Sequence, residues 1–338
     1  MTPAIFGMSG LALTADERAF FKEADPAGYI LFGRNVESRA QMHALTDELR
    51  AIHGRDELFI CIDQEGGRVA RMKAPEWTTF PAGETFDRLY RQAPASAIEA
   101  ARVNAQVLGM ELAEVGITVD CHPPLDVRQP GAHDVIGDRS LGSDPMQVAA
   151  LGRAILDGLG RAGVLGCIKH MPGHGRAQCD SHKEMPTVHA TVEELQVDLA
   201  PFKALSDTPV GMTGHLLFPA WDSKNPSTLS STIIGDIIRG EIGFDGLLLT
   251  DDIDMQALSG TIPERAERAL SAGCDVVLNC WGTMEDMQGI VARCGTMRAE
   301  SVARLERALA SRKAGLEADK ATLLAKRDAL LSVEGAAV

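Results

Sequence analysis

Residues 163–186 read GVLGCIKHMPGHGRAQCDSHKEMP, a short apolar run followed at once by a polar segment. The run predicts a β-strand, and the polar segment predicts a loop, because a hydrophobic core would not accommodate so many ionisable side chains. Glycine on each side of His174 permits backbone angles that other residues resist. Functional groups concentrate on loops held by a rigid scaffold, so we interpret residues 169–186 as a mobile catalytic loop at a strand end rather than an ordinary polar surface loop. Its candidate functional groups are Lys169, His170, His174, Asp180 and His182.

Similar apolar runs recur along most of the chain. They are continuously apolar rather than alternating, as expected for parallel strands that helices bury on both faces. The eight candidates are AIFGM (4–8), YILFG (29–33), LFICID (58–63), ITVDC (117–121), VLGCIKH (164–170), VGMTGH (210–215), LLLTDD (247–252) and DVVLNC (275–280).

Patterns with helical spacing separate these runs. In residues 144–163, Pro145 suits a first turn and the apolar side chains form one stripe. Thr191 and Glu194 form a capping-box match that opens the next helix. Further helices are predicted at residues 94–116, 231–240 and 264–273.

The alternation of strand and helix decides the predicted fold class. Repeated about eight times, it predicts an α/β fold of the (β/α)8 type, a TIM-type barrel. A doubly wound open sheet is the alternative, but no glycine-rich phosphate-binding fingerprint follows the first strand. We predict one barrel domain over residues 1–295. Residues 296–338 predict a C-terminal helical hairpin, split near Gly315, that packs on the barrel or on a second subunit.

Composition restricts the classes of function. A length of 338 residues with 45% hydrophobic residues suits one large globular domain. A formal net charge of -14 disfavours nucleic acid and anionic membranes as partners. The first residues do not resemble a signal peptide, and no apolar run approaches the length of a membrane span. The seven cysteines lack a CxxC pair, and Cys61, Cys167 and Cys280 lie in apolar runs, so we expect a soluble cytoplasmic protein.

Charged residues end most of the predicted strands. In a barrel of this type the active site lies at the carboxyl ends of the strands. Acids that merely cap helices would scatter over both ends, so we predict one polar pocket at one mouth. Asp126 and His215 are explained equally well by supporting roles. The residues concerned are Asp63, Asp120, Asp126, Lys169, His170, His215, Asp251, Asp252 and Asn279.

Three kinds of function could use such a pocket. A metallohydrolase needs histidines and acids that converge on a cation, and His170, His174, Asp180, His182 and Asp251 could supply them, but the HxH pair expected at the end of an early strand is absent. A glycosidase needs one carboxylate nucleophile and a second group that donates and then accepts a proton. Asp251 and the Asp180/His182 pair can fill those roles. In a purely binding barrel, an activated acid/base pair would be surplus.

Five motifs occur in order along the chain: DQEGGRVAR (63–71), GDRS (137–140), KHMPGHG with DSH (169–182), GHLLFP (214–219) and GFDGLLLTDDIDM (243–255). Together they resemble the single-domain bacterial β-N-acetylglucosaminidases of glycoside hydrolase family 3, the cytosolic enzymes of peptidoglycan recycling. The match runs to about residue 285 and leaves out the C-terminal hairpin. Met171 stands where the family usually has phenylalanine, an apolar exchange that we expect to affect loop packing more than chemistry.

The resemblance implies a role for each site residue. Asp251, the first aspartate of the TDD motif, would be the nucleophile, and the adjacent Asp252 is the competing assignment. His182 would be the general acid/base and Asp180 its orienting partner, because an aspartate bonded to imidazole fixes its tautomer and raises its basicity. His174 is expected to anchor the loop. The residues that would grip the sugar are Asp63, Arg71, Arg139, Lys169 and His170.

The resemblance also implies an activity and a partner. It implies a retaining exo-β-N-acetylglucosaminidase that acts on muropeptides of the GlcNAc-1,6-anhydroMurNAc type and needs neither a metal nor a cofactor. The expected partner is therefore a carbohydrate, and the protein is expected to be a monomer or a homodimer. The arginines and the lysine of the sugar-gripping set could also pair with Asp63 and neighbouring acids, and both roles are compatible.

Overall fold

Eight parallel strands form the centre of the molecule. A computed structural model of the protein describes residues 1–131, 134, 136–178 and 185–332. Each strand pairs with the next, and the last pairs with the first, so the sheet closes into a barrel. The predicted (β/α)8 fold and all eight predicted strands are confirmed, with shifted ends. The strands are β1 (Thr2–Gly7), β2 (Pro26–Leu31), β3 (Phe59–Ile62), β4 (Val119–Asp120), β5 (Leu165–Met171), β6 (Val210–Thr213), β7 (Leu247–Asp252) and β8 (Val276–Asn279).

Helices connect the strands on the outside of the barrel. The capping box predicted at Thr191 and Glu194 is present at the start of α6. The helix predicted at residues 231–240 is instead a π-helix over Ile233–Glu241, whose four isoleucines are all buried. The α-helices are α1 (Ala15–Ala24), α2 (Arg39–His53), α3 (Gly83–Gln92), α4 (Pro94–Glu114), α5 (Pro145–Arg161), α6 (Val192–Ala204), α7 (Ile262–Ala272), α8 (Met284–Cys294), α9 (Ala299–Ala310) and α10 (Lys320–Leu331).

Apolar side chains fill the space on both sides of the strands. One cluster lies inside the barrel and a larger one lies between the strands and the helices. Cys61, Cys167 and Cys280 belong to the interior cluster and are buried, as the sequence predicted. No helix in the described residues combines the length and the apolar character needed to cross a membrane.

The C-terminal helices pack on the barrel of the same chain. Leu305 and Ala308 of α9 join the interior cluster, so α9 covers the end of the barrel opposite the strands' carboxyl ends. Helix α10 lies along α4, where Lys326 pairs with Glu99 and Lys320 pairs with Glu111. The division of the chain at residue 295 stays a prediction.

Asp275 holds α9 against the barrel. It directly precedes β8 and is buried, and it accepts hydrogen bonds from Arg239 (2.7 Å), Arg304 (3.2 Å), the Ser301 hydroxyl (2.6 Å) and the Leu248 N–H (2.9 Å). One carboxylate therefore accepts hydrogen bonds from three elements of structure, the π-helix, β7 and α9.

Removing this carboxylate should destabilise the fold. We expect Asp275→Ala to lower the free energy of unfolding by about 3–5 kcal/mol, because the mostly buried Arg239 loses its carboxylate partner and Arg304 loses one of three. Urea unfolding followed by circular dichroism measures the loss. The matched control is Asp207→Ala, which breaks an exposed pair with Arg153 and should cost about 0–1 kcal/mol. Equal losses in the two variants would contradict the anchoring role.

Candidate active site

A cavity of about 580 Å³ opens at the carboxyl ends of the strands. Asp63, which directly follows β3, lines it together with Arg71 from the next segment and with Asp251 and Asp252 at the end of β7. This is the mouth at which barrel enzymes hold their active sites. Its lining also includes the aromatic and cationic side chains of Phe32, Arg34, Lys73 and Trp281.

A buried network of ion pairs forms one side of the site. The Lys169 ammonium lies 3.0 Å from a carboxylate oxygen of Asp63 and 2.7 Å from one of Glu65. Arg71 donates to the other oxygen of Asp63 at 3.0 Å. Arg139 binds Glu65 in a bidentate manner, at 2.7 and 2.8 Å. The network joins the ends of β3 and β5 to the segment before α5.

The network keeps its carboxylates ionised. Burial alone would raise the pKa of Glu65, but Arg139 and Lys169 outweigh it and hold the pKa well below its ordinary value. Lys169 and Arg71 likewise lower the pKa of Asp63 against the effect of burial. Burial opposes the charge of Lys169, but the two carboxylates raise its pKa. The group is therefore a set of fixed charges at neutral pH.

Asp126 clamps the beginning of the predicted catalytic loop. One of its oxygens accepts from the backbone N–H of His170 (3.2 Å) and of His174 (2.7 Å), and the other lies 2.7 Å from Nδ1 of His170. Burial would raise the pKa of Asp126, but His170 and these bonds lower it, so the carboxylate accepts and Nδ1 donates. Burial lowers the pKa of His174 to about 4, so that imidazole is neutral. Asp126 thus has the supporting role that the sequence allowed.

Asp251 and Asp252 are adjacent in sequence but differ in electrostatic environment. Asp251 accepts from the N–H of Asp252 at 2.8 Å, and the neighbouring His170 and His215 lower its pKa against the effect of burial. Asp252 is partly buried beside Asp254, and desolvation, followed by the neighbouring carboxyl, raises its pKa to about 8. The pKa values of the two adjacent carboxyls are therefore shifted in opposite directions, the kind of split that assigns two acids to different roles.

Hydrogen bonds to two neighbouring strands or segments hold the end of β7, which carries these acids. His215 bonds the backbone carbonyl of Asp252 through Nε2 at 2.9 Å and the Thr228 hydroxyl through Nδ1 at 2.8 Å. The Asp252 carboxyl accepts from the N–H of Cys280 at 3.1 Å, which ties β7 to β8. His215, like Asp126, supports other residues of the site through hydrogen bonds.

Asp180 and His182, the predicted acid/base pair, lie outside the described residues. The candidate metal ligands of the metallohydrolase alternative include both, so that alternative stays a hypothesis. Across the ranges that are described, no group of three or more His, Cys, Asp or Glu side chains is arranged to hold a metal ion.

The structure brings the other predicted site residues to one mouth. Asp63, Arg71, Lys169 and Arg139 belong to the ion-pair network, His170 follows Lys169 on β5, and Asp251 lies at the end of β7. Sequence reasoning missed Glu65, whose signal was its place two residues after Asp63 within the DQEGGRVAR motif. It also missed Asp254, because the sequence does not distinguish this residue from other loop acids and only its contacts in the folded protein do.

The fold and the site together define a class of protein. An ionised carboxylate in a polar barrel mouth, surrounded by fixed hydrogen-bonding charges, is what a glycoside hydrolase with a carboxylate nucleophile requires. Residues 6–310 match the glycosyl hydrolase family 3 N-terminal domain. The chain belongs to this family and is a glycoside hydrolase, as the sequence motifs predicted.

Similar proteins span nearly the whole chain. A beta-hexosaminidase of Bordetella avium is 39% identical over 283 residues, which are 82% of this chain and 80% of that protein. A beta-hexosaminidase of Chromobacterium violaceum is 39% identical over 310 residues, covering 90% and 86% respectively. Crystalline NagZ from Neisseria gonorrhoeae in complex with N-trifluoroacetyl-D-glucosamine superposes with a TM-score of 0.86 at 31% identity, covering 98% of each chain.

Removing the charge of Glu65 should destabilise the site in a pH-dependent way. We expect Glu65→Gln to lower the free energy of unfolding by about 3–5 kcal/mol at neutral pH, because Lys169 and Arg139 keep their charges without it. The folded-state pKa of Glu65 is depressed, so its contribution is present above the unfolded pKa of about 4.3 and is lost as the pH falls below it.

Urea unfolding of both proteins at neutral pH and near pH 3 measures this difference, which should shrink on acidification. The control is Glu267→Gln, which removes an exposed partner of Arg293 and should cost about 0–1 kcal/mol. A difference that stays constant with pH would show that Glu65 acts through packing rather than charge.

Proposed function

We propose that the protein is a retaining exo-β-N-acetylglucosaminidase that forms a covalent glycosyl-enzyme on Asp251. The observation that carries the proposal is the place of Asp251 at the end of β7 in the cavity, where His170 and His215 lower its pKa against the effect of burial, whereas burial and Asp254 raise the pKa of the adjacent Asp252. An ionised carboxylate is the form that acts as a nucleophile. The names of the relatives, beta-hexosaminidases and a NagZ bound to an N-acylated glucosamine, support this choice of sugar.

In the proposed reaction His182, oriented by Asp180, protonates the glycosidic oxygen while Asp251 attacks the anomeric carbon. In the second step His182 removes a proton from water, which attacks the same carbon and releases Asp251. Two displacements at one carbon retain the configuration. The DSH motif supports the assignment of His182 and Asp180.

The ion-pair network is proposed to hold the sugar. Lys169, Arg71 and Arg139 present fixed donors, and Asp63 presents an acceptor, without the entropic cost of ordering long side chains on binding. His170 is fixed through Nδ1 by Asp126, which supports a role for it in positioning a hydroxyl. Binding groups that are already ordered place the anomeric carbon against the nucleophile.

The natural substrate is proposed to be a muropeptide of the GlcNAc-1,6-anhydroMurNAc type, released in cell-wall recycling in the cytoplasm. The resemblance to peptidoglycan-recycling enzymes supports this finer assignment. The proposed assembly is a monomer or a homodimer.

Hydrolysis of a chromogenic N-acetyl-β-glucosaminide, with and without a strong chelator, tests the proposal. We expect activity that survives chelation, with the β-anomer as the first product in a proton NMR time course. The α-anomer as first product would exclude the two-displacement mechanism. Activity lost to the chelator and restored by zinc would favour the metallohydrolase alternative.

The adjacent aspartates should fail differently. We expect Asp251→Asn to lower kcat/KM by at least about 10⁴-fold, because it removes the nucleophile. Asp252→Asn should stay within about ten-fold of the wild type near neutral pH, because an amide replaces a carboxyl that is already protonated. Mass spectrometry with a slow fluorosugar should detect the covalent intermediate in Asp252→Asn and not in Asp251→Asn. The reverse pattern would move the nucleophile to Asp252.

His182→Ala should impair the reaction most when the leaving group needs a proton. We expect a loss of about 10² to 10⁴-fold with a poor leaving group, the range typical of general acid/base catalysis, and a much smaller loss with a dinitrophenyl leaving group. Asp180→Ala should show the same dependence, because it acts through the imidazole. Equal losses on good and poor leaving groups would make His182 a substrate-binding residue.

A further inference from the structure

Glu111 on α4 is a buried carboxylate that contacts three other parts of the chain. Its side chain is 2% exposed. It accepts hydrogen bonds from the Thr78 hydroxyl at 2.7 Å and from the Thr78 backbone N–H at 3.2 Å. Lys320, the first residue of α10, forms an ion pair with it, and a guanidinium nitrogen of Arg39 on α2 lies 3.6 Å away. A carboxylate at this depth needs such partners, because an unpaired buried charge is strongly destabilising.

Thr78 belongs to the segment that carries Arg71 into the active site. This segment, residues 63–82, connects β3 to α3. Its first part is fixed by Gln64, whose side-chain oxygen accepts from the N–H of Arg71 at 2.7 Å. Its second part is fixed by the two bonds from Thr78 to Glu111. Glu111 therefore holds the segment from a point seven residues after Arg71.

A packed turn joins these two fixed points. The N–H of Trp77 donates to the carbonyl of Lys73 at 3.3 Å, and the indole is buried in the larger core cluster. The guanidinium of Arg39 lies 4.2 Å from the centre of the Trp77 ring and donates to the carbonyl of Glu76 at 2.8 Å. Because the turn is bonded and packed as one unit, a displacement of Thr78 is transmitted along it towards Arg71.

Lys320 occupies an unfavourable position on its own helix. It directly follows the N-cap, Asp319, and the positive end of the helix dipole disfavours a cation there. The ion pair with Glu111 offsets this repulsion. The family domain matches residues 6–310, so α10 lies beyond it. A helix outside the family domain thus supplies a cation to the carboxylate that holds the active-site segment.

We propose that Lys320, acting through Glu111, positions Arg71 for the binding of the sugar. Lys320 fixes the carboxylate, the carboxylate holds Thr78, and the turn fixes the segment that carries Arg71. Without Lys320 the carboxylate keeps only the cation of Arg39, turns towards it and weakens its bonds to Thr78. Lys320 and Glu111 are positioning residues and do not touch the substrate. This inference rests on the proposed function, since Arg71 is proposed there to hold the sugar.

Point variants of the full chain test this role. The substrate is a dinitrophenyl N-acetyl-β-glucosaminide, assayed well below the unfolding temperature of every variant. We expect Lys320→Met to lower kcat/KM by about two- to ten-fold, the range of coupling within a shared network, and Lys320→Arg to restore most of it. The matched control is Lys326→Met, which breaks another ion pair between α10 and α4 and should leave kcat/KM unchanged.

A double-mutant cycle separates positioning from a general loss of stability. In an Arg71→Met background, Lys320→Met should change kcat/KM by less than about two-fold, because its effect passes through the side chain that has been removed. A general defect would lower kcat/KM by the same factor in both backgrounds. Equal factors would therefore overturn the proposal, as would an unchanged kcat/KM in the Lys320→Met single variant.

Hydrogen exchange gives an answer independent of turnover. Mass spectrometry of the peptic fragment that contains the Thr78 amide should show exchange about two- to ten-fold faster in Lys320→Met than in the wild type or in Lys326→Met. A fragment containing β6 (Val210–Thr213) should exchange equally in all three proteins. Wild-type exchange at Thr78 in Lys320→Met, or equal acceleration in both fragments, would reject the positioning role. Failure of the wild type to hydrolyse any N-acetyl-β-glucosaminide would instead reject the proposed function.

Discussion

The active-site mouth depends on one buried charge, the ammonium of Lys169. Its side chain is 2% exposed, and an uncompensated charge at that depth would destabilise the fold by about 3–5 kcal/mol. Asp63 and Glu65, which follow β3, pair with Lys169 and compensate its charge. Arg139, which is distant along the chain, pairs with Glu65. The groups proposed to hold the sugar are therefore also the groups that hold three parts of the barrel together. The proposed sugar-binding groups are therefore held in fixed positions by the same ion pairs that compensate the buried charge of Lys169.

A second constraint separates two acids that the sequence makes equivalent. Asp251 and Asp252 share a strand, but successive side chains of a strand point in opposite directions and meet different surroundings. Asp251 faces imidazoles, whereas Asp252 is buried beside another acid. The barrel thus shifts the pKa values of two adjacent aspartates in opposite directions because their neighbours differ.

The sequence predicted the barrel because each buried strand is a continuous run of apolar residues. The predicted helices are marked by capping residues or by apolar residues at helical spacing. It predicted most of the mouth because polar residues that end such runs meet at one edge. It could not reveal the partner of Arg139, since Glu65 and Arg139 are far apart along the chain and only the closed barrel brings them together. Nor could it reveal that the Trp281 side chain is exposed and stacks on the ring of Phe32.

The site balances two opposite dependences of stability on pH. Asp252 has a folded-state pKa of about 8, so above its unfolded value of about 3.9 the folded protein keeps a proton that the unfolded chain has released, and stability falls as the pH rises through that interval. Glu65 has a depressed pKa, so its ion pairs gain their effect at lower pH and are complete by about pH 4.3, at the acidic end of that interval. The protonated acid also lies beside Asp254, which binds the N–H of Trp281. The cost of keeping an acid with a raised pKa beside Asp251, the proposed nucleophile, is thus offset by the ion-pair network.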